Sequence, residues 1–215
     1  MIEVQLAAIR RQIDRVARPF THDVEVIAVT KGFDGTAIEA AASAGCTTVG
    51  ENYAQEVLSK ADTIQRLGVD VQFIGQLQSN KVRQLVDIIT LWASIDRGSI
   101  LDEIAKRAPG AKVLIQVNAT GEAGKGGCAP DEVANLITHA RSLGLGVEGL
   151  MTVGPTGQPA EAARPAFELT RKLVDDHGLT TCSMGMSGDL DVAVACGSSQ
   201  VRIGSALFGP RPQRH

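Results

Sequence analysis

The apolar run Val26-Ile27-Ala28-Val29 leads through Thr30 to a lysine, Lys31, followed by Gly32 and Phe33. A β-branched run of this kind reads as a strand buried on both faces. A lysine at the C-terminal mouth of such a strand stands where α/β proteins place ligands. Partial desolvation there lowers the pKa of an amine and frees its lone pair for a carbonyl carbon. A lysine that merely reaches solvent at a strand end looks the same locally, so the remainder of the chain must decide.

Two other segments have residue types suited to an anion. Ser183-Met184-Gly185-Met186-Ser187-Gly188-Asp189 surrounds a turn with serines and glycines. Val201-Arg202-Ile203-Gly204-Ser205 places a glycine and a serine where a helix would start, offering N–H groups, a hydroxyl and the helix dipole. Strand alternation turns Arg202 and Gly204 the same way. Asn52, Ser79 and Asn80 read equally well as helix caps. Asp96 and Arg97 read equally well as a structural ion pair.

The elements that must position these groups follow from periodicity and punctuation. Ile2, Leu6, Ile9, Ile13 and Val16 recur at helical spacing, giving an amphipathic leading helix over 2–17. Strands are expected at 24–32, 46–49, 71–74, 88–95, 112–118, 147–151, 181–184 and 200–203. Helices alternate with them. One is capped by Asp34, one runs from the Gly50-Glu51-Asn52 segment to Leu67, and one is capped by Ser79 or Asn80. Others lie at 99–107, 131–143 and 190–196, with one carrying Phe167, Leu169, Leu173 and Val174, and a last helix or turn starts at Gly204-Ser205. Pro210 and Pro212 end the order. Eight strands alternating with helices predict a parallel sheet closed as a single-domain (β/α)8 TIM-type barrel over 1–215, with an extra N-terminal helix. A doubly wound open sheet is the alternative, weakened by the lack of a glycine-rich dinucleotide fingerprint after the first strand.

In a closed barrel the eighth strand neighbours the first, so Lys31 borders the loops after strands seven and eight, where barrels often hold phosphate. An amine, an anion cradle and an inward arginine suit a ligand with an aldehyde and a phosphate. Pyridoxal 5′-phosphate fits, condensing with Lys31 as a Schiff base.

Composition narrows the classes. The chain of 215 residues has a formal net charge of −3, with one Trp, one Tyr and five Phe. Scattered basic residues and scarce aromatics argue against nucleic-acid binding. The four cysteines form no CxxC pair and have no nearby histidine, so they read as reduced packing residues and no metal site is expected. No apolar run approaches the length of a membrane span, and no signal-type segment opens the chain. A cytoplasmic protein with no membrane association is the expectation. No heptad or apolar surface stripe predicts a dimer, so a monomer is expected.

VIAVTKGF at 26–33, VGENYAQE at 49–56, FIGQLQSNK at 73–81, SIDR at 94–97, LIQVN at 114–118, GLM at 149–151, SMGMSGDLDVAV at 183–194 and VRIGSALFGPR at 201–211 resemble the pyridoxal phosphate homeostasis protein family. The resemblance covers almost the whole chain. It implies the barrel of the alanine racemase N-terminal domain and a covalently held pyridoxal phosphate without established catalytic activity. Residue by residue, it implies that Lys31 is the Schiff-base lysine, Arg202 faces the pyridine nitrogen, and Gly204 and Ser205 bind phosphate beside Ser183. Asn52 lines the cofactor pocket, and Met184, Met151 and Gln78 line it too. Two positions depart from the family: Gln72 stands where histidine is common, and Ile95 where valine is.

The implied chemistry favours holding over catalysis. A donor-only arginine at the ring nitrogen cannot give it a proton as a carboxylic acid would, which weakens the cofactor as an electron sink. Racemisation also needs a base on the opposite face, and these residues leave none to build it. A carrier or regulator of vitamin B6 that supplies apo PLP-dependent enzymes is the leading expectation. A weak amino-acid racemase, or a protein that only signals its ligand state, are the alternatives.

Overall fold

The computed structural model describes residues 1–211. Its strands are β1 (Glu25–Val29), β2 (Thr48–Glu51), β3 (Asp70–Phe73), β4 (Leu91–Ile95), β5 (Lys112–Val117), β6 (Gly146–Thr152), β7 (Thr181–Ser183) and β8 (Gln200–Ile203). They pair in parallel and in sequence order, and β8 returns to β1 to close a barrel. The expected (β/α)8 architecture is therefore the observed one.

The helices are α1 (Ile2–Arg15), α2 (Gly35–Ser43), α3 (Ala54–Ser59), α4 (Ala61–Leu67), α5 (Ser79–Leu85), α6 (Gly98–Arg107), α7 (Val133–Ser142), α8 (Arg164–Asp176), α9 (Leu190–Ala195) and α10 (Ser205–Phe208). Each buries at least one apolar side chain. On α1 these are Leu6, Ile9 and Ile13, one to two turns apart as the sequence pattern requires. Asp34 caps α2 by accepting from Thr36 N at 3.0 Å.

Alternation along each strand separates two apolar layers. Most of the core, including Val49, Val71, Val201 and Ile203, lies between strands and helices. A smaller cluster of Leu91, Ala93, Leu114 and Met151 forms a separate group, with Ile74 and Val153 packed on it. These belong to the alternate, inward-facing set of their strands.

Three expectations need correcting. The single helix after Asn52 is two, α3 and α4, interrupted at Lys60 (φ −106°, ψ 0°). Its side chain turns into the protein there, for reasons given below. The residue preceding α5 is Gln78, which makes no side-chain cap bond, and Ser79 and Asn80 lie inside the helix. Strand β4 starts at Leu91, because Ile88 and Ile89 still close onto Leu85 O at 2.9 and 3.0 Å.

Candidate functional site

Lys31 follows β1 at the C-terminal mouth of the barrel. The pairing with β2 extends beyond the strand, since Thr30 N donates to Gly50 O at 3.1 Å. This leaves Lys31 beside Asn52, and its Nζ donates to Asn52 Oδ1 at 3.3 Å. The amine is half-buried. Burial holds its pKa below the ordinary lysine value, and the charges of Arg211 and Arg202 push the same way, while Glu51 acts against them.

On the other side of β1, the register Ile27↔Arg202 and Ala28↔Ile203 brings Gly204 alongside the chain before Lys31. A Cβ on Gly204 would lie 3.3 Å from Val29 O, so the two backbones run close together. Ser205 opens α10, and Ala206 N donates to Ser187 Oγ at 3.3 Å, tying the loop after β7 to the turn after β8. A cleft of about 340 Å³ opens here, bounded by Val29, Phe33, Gly204, Ser205, Gly209 and Arg211. Phe33 and Phe208 pack with their ring centroids 5.4 Å apart.

Arg202 is buried and inward-facing. Its Nη1 donates to both Ser183 O and Ser183 Oγ at 2.8 Å, and its Nη2 donates to Thr152 O at 2.6 Å. The guanidinium thereby bridges the ends of β6, β7 and β8. Burial pushes its pKa down to about 10, which still leaves it a cation at neutral pH. Lys31, Asn52, Ser183, Arg202, Gly204 and Ser205 thus share one mouth.

Met184 does not join them. Its side chain is fully buried in the layer that also holds Val192, Ala193 and Val194 of α9, with its Sδ 3.6 Å from Cys182 Sγ. Its backbone is engaged as well, the N–H with Gln200 O and the carbonyl with Ser198 Oγ. Ser183 points inward, so its neighbour must point outward. Met151 packs within the inner apolar cluster. Gln78 is exposed on a rim cleft shared with Asn52 and Tyr53.

Other polar strand-end residues serve the scaffold. Asn118 closes its own loop, donating to Glu122 O at 2.9 Å and accepting from Gly121 N at 3.1 Å. Arg97 pairs with Asp96 and donates to Leu77 O at 2.8 Å. Gln72 lies at the opposite, N-terminal mouth with Glu25, Thr48 and Gln200, remote from Lys31. All four cysteines are free and buried, with Cys128 and Cys182 pushed up to about 12 by burial, consistent with packing residues. Among the described residues no helix is long and apolar enough to cross a membrane.

Sequence reasoning missed a buried group behind Lys31. Lys60 Nζ donates to Thr30 O at 2.9 Å and to Glu51 Oε1 at 2.6 Å, and Thr30 Oγ1 donates to the same carboxylate oxygen at 2.6 Å. The signal was present. Val57, Lys60 and Ile64 lie three and four residues apart, so the lysine shares the buried face of an amphipathic pattern.

The model of the alanine racemase N-terminal domain matches residues 4–212. The pyridoxal phosphate homeostasis protein of Pseudomonas aeruginosa is 38% identical over 221 residues, which cover 98% of this chain and 96% of that protein. The chain belongs to the pyridoxal phosphate homeostasis protein family. The resemblance read from GENY, LQSNK and SMGMS is thus borne out at full length. A solved relative is PipY of Synechococcus elongatus with PLP bound. It is 28% identical with a TM-score of 0.81, and the match covers 97% of this chain and all of that one. The barrel extends to enzymes. An alanine racemase of Clostridium difficile in complex with cycloserine superposes at a TM-score of 0.79 with 13% identity, over 99% of this chain and 60% of that one. That last likeness shows the fold alone.

Proposed function

We propose that this protein holds pyridoxal 5′-phosphate covalently on Lys31 and acts in cytoplasmic vitamin B6 homeostasis. In this reading it carries or buffers the aldehyde and releases it to apo PLP-dependent enzymes. The observation that carries the reading is a half-buried amine, its pKa lowered by burial, placed between Val29 and Phe33, which line the cleft at Gly204 and Ser205, in a family whose relative PipY has been solved with PLP bound.

The residues present fit the group. A Schiff base needs a neutral amine, and burial together with two neighbouring cations favours that form of Lys31. A phosphate needs N–H and hydroxyl donors, which Gly204 and Ser205 offer at the start of α10. Asn52 orients the amine as a neutral acceptor, so it does not draw a proton onto the nitrogen as a carboxylate would. When bound, the cofactor supplies a reactive aldehyde and a ring that can accept electron density.

A holding role is supported over an enzymatic one by Arg202. A guanidinium donates hydrogen bonds and does not give up its proton at neutral pH, so the residue aimed into the mouth cannot protonate a ring nitrogen. The test is the absorbance spectrum of the purified protein with PLP before and after borohydride, with the reduced peptide mapped. The expected result is a single pyridoxyl group on Lys31 that is lost in Lys31→Ala. A stable adduct on another residue, or retention of the adduct band in Lys31→Ala, refutes the assignment. Transfer to an apo-enzyme faster than through free solution tests the carrier role. Exchange of amino-acid α-protons that vanishes in Lys31→Ala would instead establish catalysis.

A further inference from the structure

The side chain of Lys31 is lightly held. Its one hydrogen bond among the described residues is the 3.3 Å contact with Asn52. The backbone on either side of it is held far more firmly. Thr30 is fully buried, and both its carbonyl and its hydroxyl are engaged, by Lys60 Nζ at 2.9 Å and by Glu51 Oε1 at 2.6 Å. Gly32 N donates to Glu56 Oε2 at 2.7 Å. Both clamps meet at one atom, since Lys60 Nζ lies 2.6 Å from Glu51 Oε1 and 3.8 Å from Glu56 Oε2.

This cluster lies outside the mouth. Asn52 faces in, so Glu51 faces out, into the layer beneath α3. Glu51 and Lys60 expose 0% and 2% of their side chains, so water does not screen them. Reaching this position interrupts the helix at Lys60. Taking two charges out of water and breaking a helix are both unfavourable, and an apolar pair would fill the space with less cost. What apolar residues cannot do is hold a carbonyl, a hydroxyl and an N–H of particular residues in particular places. A polar network buried around Glu51 and Lys60 favours one arrangement of the groups it binds.

We propose that Lys60, Glu51 and Glu56 are positioning residues for Lys31. They lock Thr30 and Gly32 so that the amine is presented to the aldehyde of the bound ligand with little conformational freedom left to lose. The inference rests on the reading of Lys31 as the covalent site. The condensation concerned joins the lysine nitrogen to the aldehyde carbon. The aldehyde oxygen leaves as water with the two amine hydrogens.

The experiment compares PLP with pyridoxine 5′-phosphate, which has the same ring and phosphate but no aldehyde. Affinities for both are measured in the native protein, in the charge-neutral double variant Glu51→Gln/Lys60→Met, and in Glu56→Leu. The last releases Gly32 and removes the 3.8 Å contact with Lys60 while keeping the Glu51–Lys60 pair, so it answers the question even where the double variant does not fold. Thermal melts identify the folded proteins. In the variants PLP affinity and the fraction of Lys31 fixed by borohydride are expected to fall about tenfold or more, the scale on which misplacing a reacting group acts. Pyridoxine 5′-phosphate affinity stays within about twofold of native, because in this reading its phosphate is held by Gly204 and Ser205, which lie outside the Lys60 cluster. A parallel loss for both ligands, or no loss for either, overturns the positioning role while leaving Lys31 as the covalent site. Absence of any Lys31 adduct in the native protein overturns the reading of the site and this role with it.

Discussion

The nearest hydrogen-bond partner of the Lys31 amine is a neutral carboxamide, Asn52 Oδ1 at 3.3 Å, and not a carboxylate. The distinction matters because burial and two cations already favour the uncharged amine, and an anion here would undo their effect. Asn52→Asp is nearly isosteric and introduces that anion. It is expected to raise the Lys31 pKa, since an opposite charge beside the amine favours its ammonium form. Adduct formation needs the free amine, so its rate at neutral pH should fall about tenfold per unit and recover at alkaline pH. Rates of adduct formation measured across pH check this. An unchanged profile would show that Asn52 does not govern the amine.

Arg202 is expected to matter to stability as much as to any ligand. Its guanidinium satisfies Ser183 O, Ser183 Oγ and Thr152 O at the point where β7 and β8 share only the register pair Ser183↔Gln200. Arg202→Met removes all three bonds and strands buried acceptors, which should cost about 3 kcal/mol. Arg202→Lys keeps a charge but loses the fork that spans two strands, and should recover only part of the loss. Denaturant unfolding of the three proteins checks this order. Equal midpoints would place the seam's stability elsewhere.

These two sites show which features the sequence displays and which it conceals. The eight strands were legible because buried parallel strands leave continuous β-branched runs, as in Val26–Val29. The meeting of Lys31 with Gly204 was legible because closure makes β8 adjacent to β1. Alternation placed Arg202 inward, and the same rule, applied to Ser183, puts Met184 outward, as found. The break at Lys60 was hidden because α3 and α4 together carry one helical pattern, and the residue between them is a good helix former. What interrupts the pattern is a contact with Thr30, 30 residues away in sequence, and such long-range partners leave no local trace.

Gly75 is a strand-end glycine whose reason is close approach. A Cβ there would lie 2.0 Å from Asn52 O and 2.8 Å from Asn52 Cα, contacts that backbone atoms cannot relieve without moving. Gly75→Ala is therefore expected to destabilise the protein by about 2–3 kcal/mol and to shift Asn52 away from Lys31. The second effect separates this residue from an ordinary packing glycine. A melt that shifts without any loss of Lys31 adduct formation would show that Asn52 accommodates the methyl group in place.

Arg211 is the second-largest influence holding down the Lys31 pKa, after burial itself. Its side chain crosses Gly32, where its Cδ would lie 3.0 Å from an added Cβ, and it bounds the cleft that contains Gly204 and Ser205. Arg211→Met removes that cation, so the ammonium form of Lys31 becomes less unfavourable and its pKa rises toward the ordinary lysine value. The sign follows directly. At any pH between the two values less free amine is present, and the pH profile of adduct formation moves to the alkaline side. Pyridoxal, which lacks the phosphate, is the ligand to use, because a change in phosphate binding then cannot contribute. Arg211 is exposed, so the shift should shrink as salt is raised from about 0.05 to 0.5 M, whereas the shift produced by Asn52→Asp, from a closer and half-buried pair, should persist. A profile for Arg211→Met that is unmoved with pyridoxal would assign the lowering of the Lys31 pKa to burial and Arg202 alone.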